Sequence, residues 1–525
     1  MGAPVGRRGL LTGMLGAGAL VALDACGVSG PHPPPAATAG PSASPAPTAA
    51  PTVGPPGAAD WERLRANLGG RLTLPADGGY DAARLLFNRR FDGLRPAGLA
   101  AVGSALEVQA CLAFARRHGL PVSVRSGGHS YLGASAGPGL VVDLRRLDAV
   151  RPGVGTASVG AGAALADVYA GLAAAGVSVP AGSCPAVGVS GLALGGGMGV
   201  VGRQYGLTCD RLVSAQVVLP DGRVVTASES SEPDLYWALR GGGGSFGVVT
   251  QLELATHPTR DLATFTLTWP YAAAADVLSG WQATLAGAPD ALWTTCHLLA
   301  TTGHGPTASV SGVLVGTSAQ LAPLVDALVR GVGTSPASRS LRDRTYLDTM
   351  LLEAGCSTRS VAACHVAGQS PTGTLGRDAF VAASDLFPAP LSSGAVARVV
   401  GAVRDRQDAR LGVGGVGFDS WGGAVGRVAA DATAFPHRDA LLSAQWTASW
   451  TTTPGNAPQA ANEASLAALR GAADGEGQGC YANYADASLS DPLTAYYGPN
   501  LARLTAVKRR YDPDGLLDQP QGPRA

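Results

Sequence analysis

The sequence predicts an α+β protein made of more than one packed unit, and three observations lead there. Its 525 residues exceed a single typical domain, and 46% of them are hydrophobic, ample for large cores. Between residues 61 and 260, short strands and helices alternate with runs of glycine. From 261 to 475 the texture changes to amphipathic strands and alanine-rich helices, the pattern of an antiparallel sheet with helices on one side.

Each element has its own local reason. Ser104-Ala105-Leu106-Glu107 is a capping box that opens a helix ending at Gly119, with Leu106, Cys111 and Phe114 on its apolar face. A strand over 120–124 runs straight into Arg125-Ser126-Gly127-Gly128-His129-Ser130-Tyr131. Small residues there let the backbone turn sharply and present successive N–H groups, an arrangement suited to a pyrophosphate. His129, at the end of that loop, lies beside whatever the phosphates anchor. Further on, Gly182-Ser183-Cys184-Pro185-Ala186-Val187-Gly188 leads to Gly191 and then to Gly195-Gly196-Gly197-Met198-Gly199. This glycine density implies backbone pressed against a flat ligand. Strands over 211–219 and 223–227 flank the turn Pro220-Asp221-Gly222 and form a hairpin. A short helix over 234–240 precedes a glycine run, 241–247, and a strand over 248–254. In the second half, strands are expected over 264–269, 308–315 and 442–450, and a helix over 319–330.

Several function classes are excluded. Lys+Arg and Asp+Glu balance at 38 each, so there is no basic footprint for nucleic acid. Lys508 is the sole lysine and reads as part of a solvated helix face in Ala506-Val507-Lys508-Arg509-Arg510. A P-loop needs a lysine after its glycines, and none stands there. The eight cysteines show neither CxxC spacing nor a zinc-type cluster, so no metal site is expected. Cys356 and Cys364 either pair in an oxidising compartment or remain two thiols. GxGxxG occurs at 197–202, 242–247 and 412–417, where 74 glycines predict roughly 1.5 chance matches. None joins a preceding strand to a following helix with an acidic residue about 20 positions on, so a dinucleotide-binding βαβ unit is excluded. Gly133-Ala134-Ser135-Ala136-Gly137 has the GxSxG pattern of a hydrolase elbow, but Pro138-Gly139 and a strand follow it where a helix is required.

The first sixty residues are an address and a tether. Arg7-Arg8 precedes an apolar run from Gly9 to Leu23, too short for a bilayer span and suited to a signal core. The paired arginines resemble a twin-arginine signal; an ordinary secretory signal is the alternative. Leu23-Asp24-Ala25-Cys26 resembles a lipobox that would lipidate Cys26, with Asp24 departing from the usual small or apolar residue. Residues 27–60, rich in Pro, Ala, Thr, Ser and Gly, form an extended spacer. The expectation is an exported protein, secreted or lipid-anchored at the cell surface, whose sole membrane contact is that anchor.

Together, 125–130, 182–199 and 241–250 resemble the FAD-binding domain of the berberine bridge enzyme family, in the vanillyl-alcohol oxidase fold group with its PCMH-type FAD-binding domain. The tail does so as well: Cys480-Tyr481-Ala482-Asn483-Tyr484-Ala485-Asp486, Tyr496 to Asn500, Arg503-Leu504, Lys508 and Tyr511 to Asp514 resemble the family's C-terminal motif. The resemblance implies an FAD domain over 61–260, a substrate domain over 261–475 and a segment over 476–525 that returns to the FAD domain. It implies FAD held by an 8α-histidyl bond at His129 and a 6-S-cysteinyl bond at Cys184. Arg125, Ser126, Gly127, Gly128, Ser130, Gly188, Gly191, Gly195, Gly196, Gly197, Gly199, Val249 and Asn483 would run along the cofactor. Tyr481 matches the family's base, and Tyr346, in the substrate half, is a candidate partner for it. The implied reaction is oxidation of an alcohol on a sugar, glycoside or other small molecule, with hydride passing to FAD and O2 giving H2O2. Amine oxidation, or a tethered electron carrier without its own substrate, are the alternatives. FAD is made in the cytoplasm, so a covalent flavoprotein should fold before export, which favours the twin-arginine route for folded cargo.

Overall fold

The computed structural model describes residues 54–301, 303–451, 458–473 and 475–525. The expected signal over 1–26, with Arg7, Arg8 and Cys26, lies outside these residues, as does most of the spacer.

Local chemistry explains the first half well. The Ser104 hydroxyl accepts the Glu107 N–H and starts the helix Ala105–His118, which ends on Gly119 at φ 64°. Its buried face is Val108, Cys111, Leu112 and Ala115, whereas Leu106 is 76% exposed. Of the expected face, Cys111 is buried and Phe114 packs against the core, but Leu106 does not belong to it. Five helical residues put Leu106 about 140° round the axis from Cys111. The helix covers parallel strands Gly98–Ala101, Leu140–Asp143 and Val122–Arg125, with Leu72–Thr73 pairing antiparallel at one edge. The central strand is buried along its whole length, as parallel sheets require. A second sheet is antiparallel and has the order Val150–Pro152, Thr156–Gly160, Val248–Ala255, Leu212–Val218 and Val224–Ser228. Its last two strands are the expected hairpin, with Gly222 at φ 93° in the turn.

The second half centres on seven antiparallel strands. Their order is Ser338–Arg344, Leu262–Pro270, Thr307–Leu314, Leu292–Ala300, Gly414–Ser420, Leu442–Trp450 and Ala379–Phe387. Helices Ala274–Thr284, Ser318–Val332, Ser393–Asp408 and Gln459–Gly471 pack on one face around Trp281, Phe418 and Trp446. The other face turns toward the first half: Trp293 and Val313 join its core, and Asn88 donates to the Phe380 carbonyl.

The tail closes the molecule. Helix Leu501–Tyr511 buries Leu504, Val507, Lys508 and Tyr511 against the first half. Lys508 is therefore not on a solvated face. That helical stripe carries it fully inside, where its ammonium donates to the Ser245 carbonyl at 2.9 Å and pairs with Asp512 at 2.5 Å and Asp518 at 2.9 Å. A buried cation is tolerable only with such compensation. Cys356 and Cys364 are joined as a disulfide.

Candidate active site

A cavity of about 880 Å³ lies between the two halves and the tail, toward the upper end of ordinary ligand sites. Its wall on the first half of the chain is mostly backbone. Gly127 and Gly188 approach so closely that a Cβ on Gly127 would stand 2.2 Å from the Gly188 nitrogen and 2.7 Å from the Ala186 carbonyl oxygen. Ser126 and Ser190 both donate to the Ala161 carbonyl at 2.7 Å, which fixes the two loops side by side.

Of the expected cofactor residues, Ser126, Gly127, Gly128, His129, Ser130, Cys184, Gly188, Gly191, Gly195, Val249 and Asn483 line this cavity. Four do not. Arg125 is 1% exposed and turns inward, donating to the carbonyls of Ala83, Arg84 and Ser135, with Asp143 3.7 Å away. As the last residue of its strand, it packs beneath the loop that follows and holds it from below through the Ser135 carbonyl. Gly196, Gly197 and Gly199 lie behind the wall. A Cβ on Gly196 would touch Phe435 and Tyr481, and one on Gly199 would stand 1.7 Å from the Ala181 oxygen, while Gly197 gives its N–H to Tyr481.

His129 and Cys184 come together across the two loops. The His129 ring stacks on Phe87 at 4.2 Å, and its Nδ1 lies 4.0 Å from the Cys184 Sγ. Its buried Nε2 has no hydrogen-bond partner among the described residues. Burial lowers the His129 pKa to about 4, against a backbone hydrogen bond at Ala186 that raises it. The ring is thus neutral at pH 7 and keeps a free lone pair. Burial also pushes the Cys184 thiol up to about 11, with backbone contacts at Ala186 and Val187 opposing. An incompletely satisfied imidazole beside a thiol, in a cavity walled by glycine, fits a flavin linked at two positions.

Tyr481 stands at the same cavity, buried to 2% exposure. Its oxygen accepts N–H groups from Gly197 at 2.9 Å, Met198 at 3.3 Å and the Asn483 amide at 2.8 Å. Three donors on one phenol oxygen favour its ionised form, yet burial dominates and pushes its pKa up to about 12. The backbone beneath it is held firmly. Tyr481 N–H donates to the Ser384 hydroxyl at 3.0 Å, and Leu386 N–H donates to the Gly479 carbonyl at 3.1 Å. Behind them Arg470 bridges Asp385 and Asp486, at 2.7 Å from each.

Tyr346 is not its partner. It sits in the core of the first half between Tyr169 and His257, outside the cavity lining. The start of its helix packs against the first half, which turns the ring away from Tyr481. The residues that do face the cavity beside Tyr481 escaped sequence reasoning. Gln445 donates to the Tyr131 hydroxyl at 2.5 Å, Tyr131 stacks on Tyr484 at 5.6 Å, and Phe380 meets Tyr131 edge-on at 5.1 Å. Tyr131 lies two residues past His129 in the same loop, a signal that could have found it. Gln445 and Phe380 carry no such local mark.

Two family profiles match stretches of the chain. One described as an FAD binding domain matches residues 96–228, and one described as berberine and berberine like matches 480–522. The chain is 32% identical over 445 residues to the chitooligosaccharide oxidase of Gibberella zeae, spanning 81% of this chain and 87% of that protein. It is 30% identical over 461 residues to the uncharacterized FAD-linked oxidoreductase YgaK of Bacillus subtilis, spanning 86% and 96%. Among solved structures, Physcomitrella patens BBE-like 1 superposes with a TM-score of 0.79 at 28% identity, over 88% of this chain and 98% of that one. A structure of the Acremonium strictum glucooligosaccharide oxidase, concerned with its 6-S-cysteinyl, 8α-N1-histidyl FAD, superposes at 0.77 and 25% identity, over 88% and 99%.

Proposed function

The chain belongs to the berberine bridge enzyme-like family of FAD-linked oxidoreductases, with their PCMH-type FAD-binding fold, and from that premise we propose that it oxidises an alcohol group on a small carbohydrate-like molecule. The observation that carries this reading is the placing of Tyr481, under three N–H donors, in one cavity with His129 and Cys184.

In this reading His129 and Cys184 each hold FAD through one covalent bond, and Ser126 to Ser130 with Gly188 cradle its phosphates through backbone N–H groups. Bound FAD supplies the two-electron acceptor for the substrate hydride, with O2 as reoxidant and H2O2 as product. The protein's own task is the proton. Tyr481 accepts it from the substrate hydroxyl, and Gly197, Met198 and Asn483 lower the cost of the phenolate. Asn483 also donates to the Leu192 carbonyl at 2.9 Å, which fixes its amide toward Tyr481. Tyr131 and Gln445 present a hydroxyl and an amide for a polyol substrate, while Tyr484 and Phe380 exclude water around them.

Two measurements test the reading. Acid-precipitated protein should stay yellow, and Cys184→Ala should keep its flavin through His129 alone. Quantitative release of free FAD from the wild type would defeat the double linkage. Anaerobic mixing with chito- and cello-oligosaccharides should bleach the flavin. Bleaching by secondary amines, with no sugar active, would replace alcohol oxidation by amine oxidation. Export belongs to the same proposal: replacing Arg7 and Arg8 by lysine should trap the precursor in the cell, and Cys26→Ser should release the exported protein from the membrane. None of the helices among the described residues is long and apolar enough to cross a membrane.

A further inference from the structure

Residues 354–378 connect helix Tyr346–Glu353 to strand Ala379–Phe387 and supply one side of the cavity through Gly355, Thr358, Arg359, Leu375 and Arg377. The segment is pinned at several points. The disulfide Cys356–Cys364 is fully buried against Ala166. His365 Nε2 lies 3.2 Å from Asp167 Oδ1. Arg377 donates to the Leu86 carbonyl at 2.6 Å and is ion-paired with Asp92. A side chain carried here is therefore offered to the cavity from a fixed base.

Among the described lining residues, the arginine and carboxylate side chains are Arg359, Arg377 and Asp378. Arg377 is engaged by Asp92, and burial raises the Asp378 pKa, with the charge of Arg89 opposing. Arg359 is half-buried, and its guanidinium has neither hydrogen bond nor ion pair among the described residues. Among the described residues the cavity thus keeps one uncompensated cation. A guanidinium presents its donors as a rigid fork that matches carboxylate and phosphate oxygens two at a time. Partial withdrawal from water makes that pairing stronger than it is on an open surface.

We infer that Arg359 is an oxyanion subsite of this cavity, built to hold a carboxylate or phosphate carried by the substrate. The inference rests on the reading that the cavity takes FAD and a small-molecule substrate together. The same chemistry could come from the diphosphate of FAD. The substrate is favoured because, in that reading, the backbone N–H groups of Ser126 to Ser130 and Gly188 already serve the diphosphate.

The test uses the holoenzyme and two matched sugars, neutral cellobiose and cellobiouronic acid, which adds one carboxylate. Binding is followed without O2 through the shift in flavin absorbance, and turnover through bleaching. The acid should bind roughly 10- to 100-fold more tightly than the neutral sugar, the range of charge-assisted hydrogen bonds. Inorganic sulfate should compete with it, less so as NaCl rises. Arg359→Gln should erase the preference at unchanged flavin content, and Arg359→Lys should restore part of it, as a point charge without the fork. Equal binding of both sugars by wild type and Arg359→Gln, with no sulfate competition, would overturn the subsite while leaving sugar oxidation standing. Loss of flavin from Arg359→Gln would overturn it in favour of the cofactor's diphosphate. Should the acid shift the spectrum through Arg359 while neither sugar bleaches it, the subsite survives and the oxidation of sugars falls.

Discussion

The two walls of the cavity are made by different means. On the FAD-domain side the wall is backbone, and its shape depends on what is missing: a Cβ at Gly127 or Gly188 would collide with the opposite loop. On the other side the wall is side chains from distant parts of the chain, with Gln445 and Phe380 from two strands and Tyr481 and Tyr484 from the tail. A wall of backbone accepts few substitutions and suits a ligand of constant shape. A wall of side chains can be rebuilt residue by residue, which suits a variable substrate.

The largest expected effect falls on the side-chain wall. Tyr481→Phe should slow flavin reduction by roughly 10²- to 10⁴-fold with flavin content intact, measured by anaerobic stopped-flow. The raised pKa gives the sign of the pH dependence. A base must be deprotonated, so the wild-type rate should climb with pH through the alkaline range, and the variant should lose that slope. A rate near wild type would move the search for the base to other residues of this wall.

Lys508→Met probes how the backbone wall is braced from the tail. It leaves Asp512 and Asp518 without their buried cation and frees the Ser245 carbonyl, so about 3–5 kcal/mol of stability should be lost in urea titration. Ser245 itself lines the cavity, so flavin incorporation should fall too. Gly127→Ala tests the close approach directly. It should lower stability by about 1–3 kcal/mol, as overpacking does, and cut flavin incorporation more than Gln445→Ala, the matching change on the other wall. Equal flavin content in the two variants would erase the distinction between the walls.

The smallest effect concerns the pinned segment above Cys184. The side-chain hydrogen bond to Asp167 raises the His365 pKa, so the pair stabilises the fold fully below the unfolded histidine value of about 6.5 and fades as pH rises through the folded value. Both partners are partly solvated, at 20% and 40% exposure, which limits the effect to under about 1 kcal/mol. His365→Ala should therefore lower stability at pH 5.5 and be neutral at pH 9; the reverse order would exclude the ion pair.

What the sequence determined by itself was everything local in origin. The helix from Ser104 to Gly119, the hairpin about Gly222, the glycine loops carrying His129 and Cys184, and the tail motif with Tyr481 and Asn483 are each written in consecutive residues. Steric and hydrogen-bonding demands within a few positions leave few alternatives there. Only the tertiary structure decided the rest. It turned Arg125 inward, put Gly196, Gly197 and Gly199 behind Tyr481, removed Tyr346 to the core and buried Lys508 among two carboxylates. It also brought Gln445 to Tyr131, 314 positions away. Such pairings follow from how the seven-stranded sheet docks on the FAD domain, and docking depends on the shape of whole surfaces. No single segment carries that information, so the substrate wall became legible only when both halves were folded together.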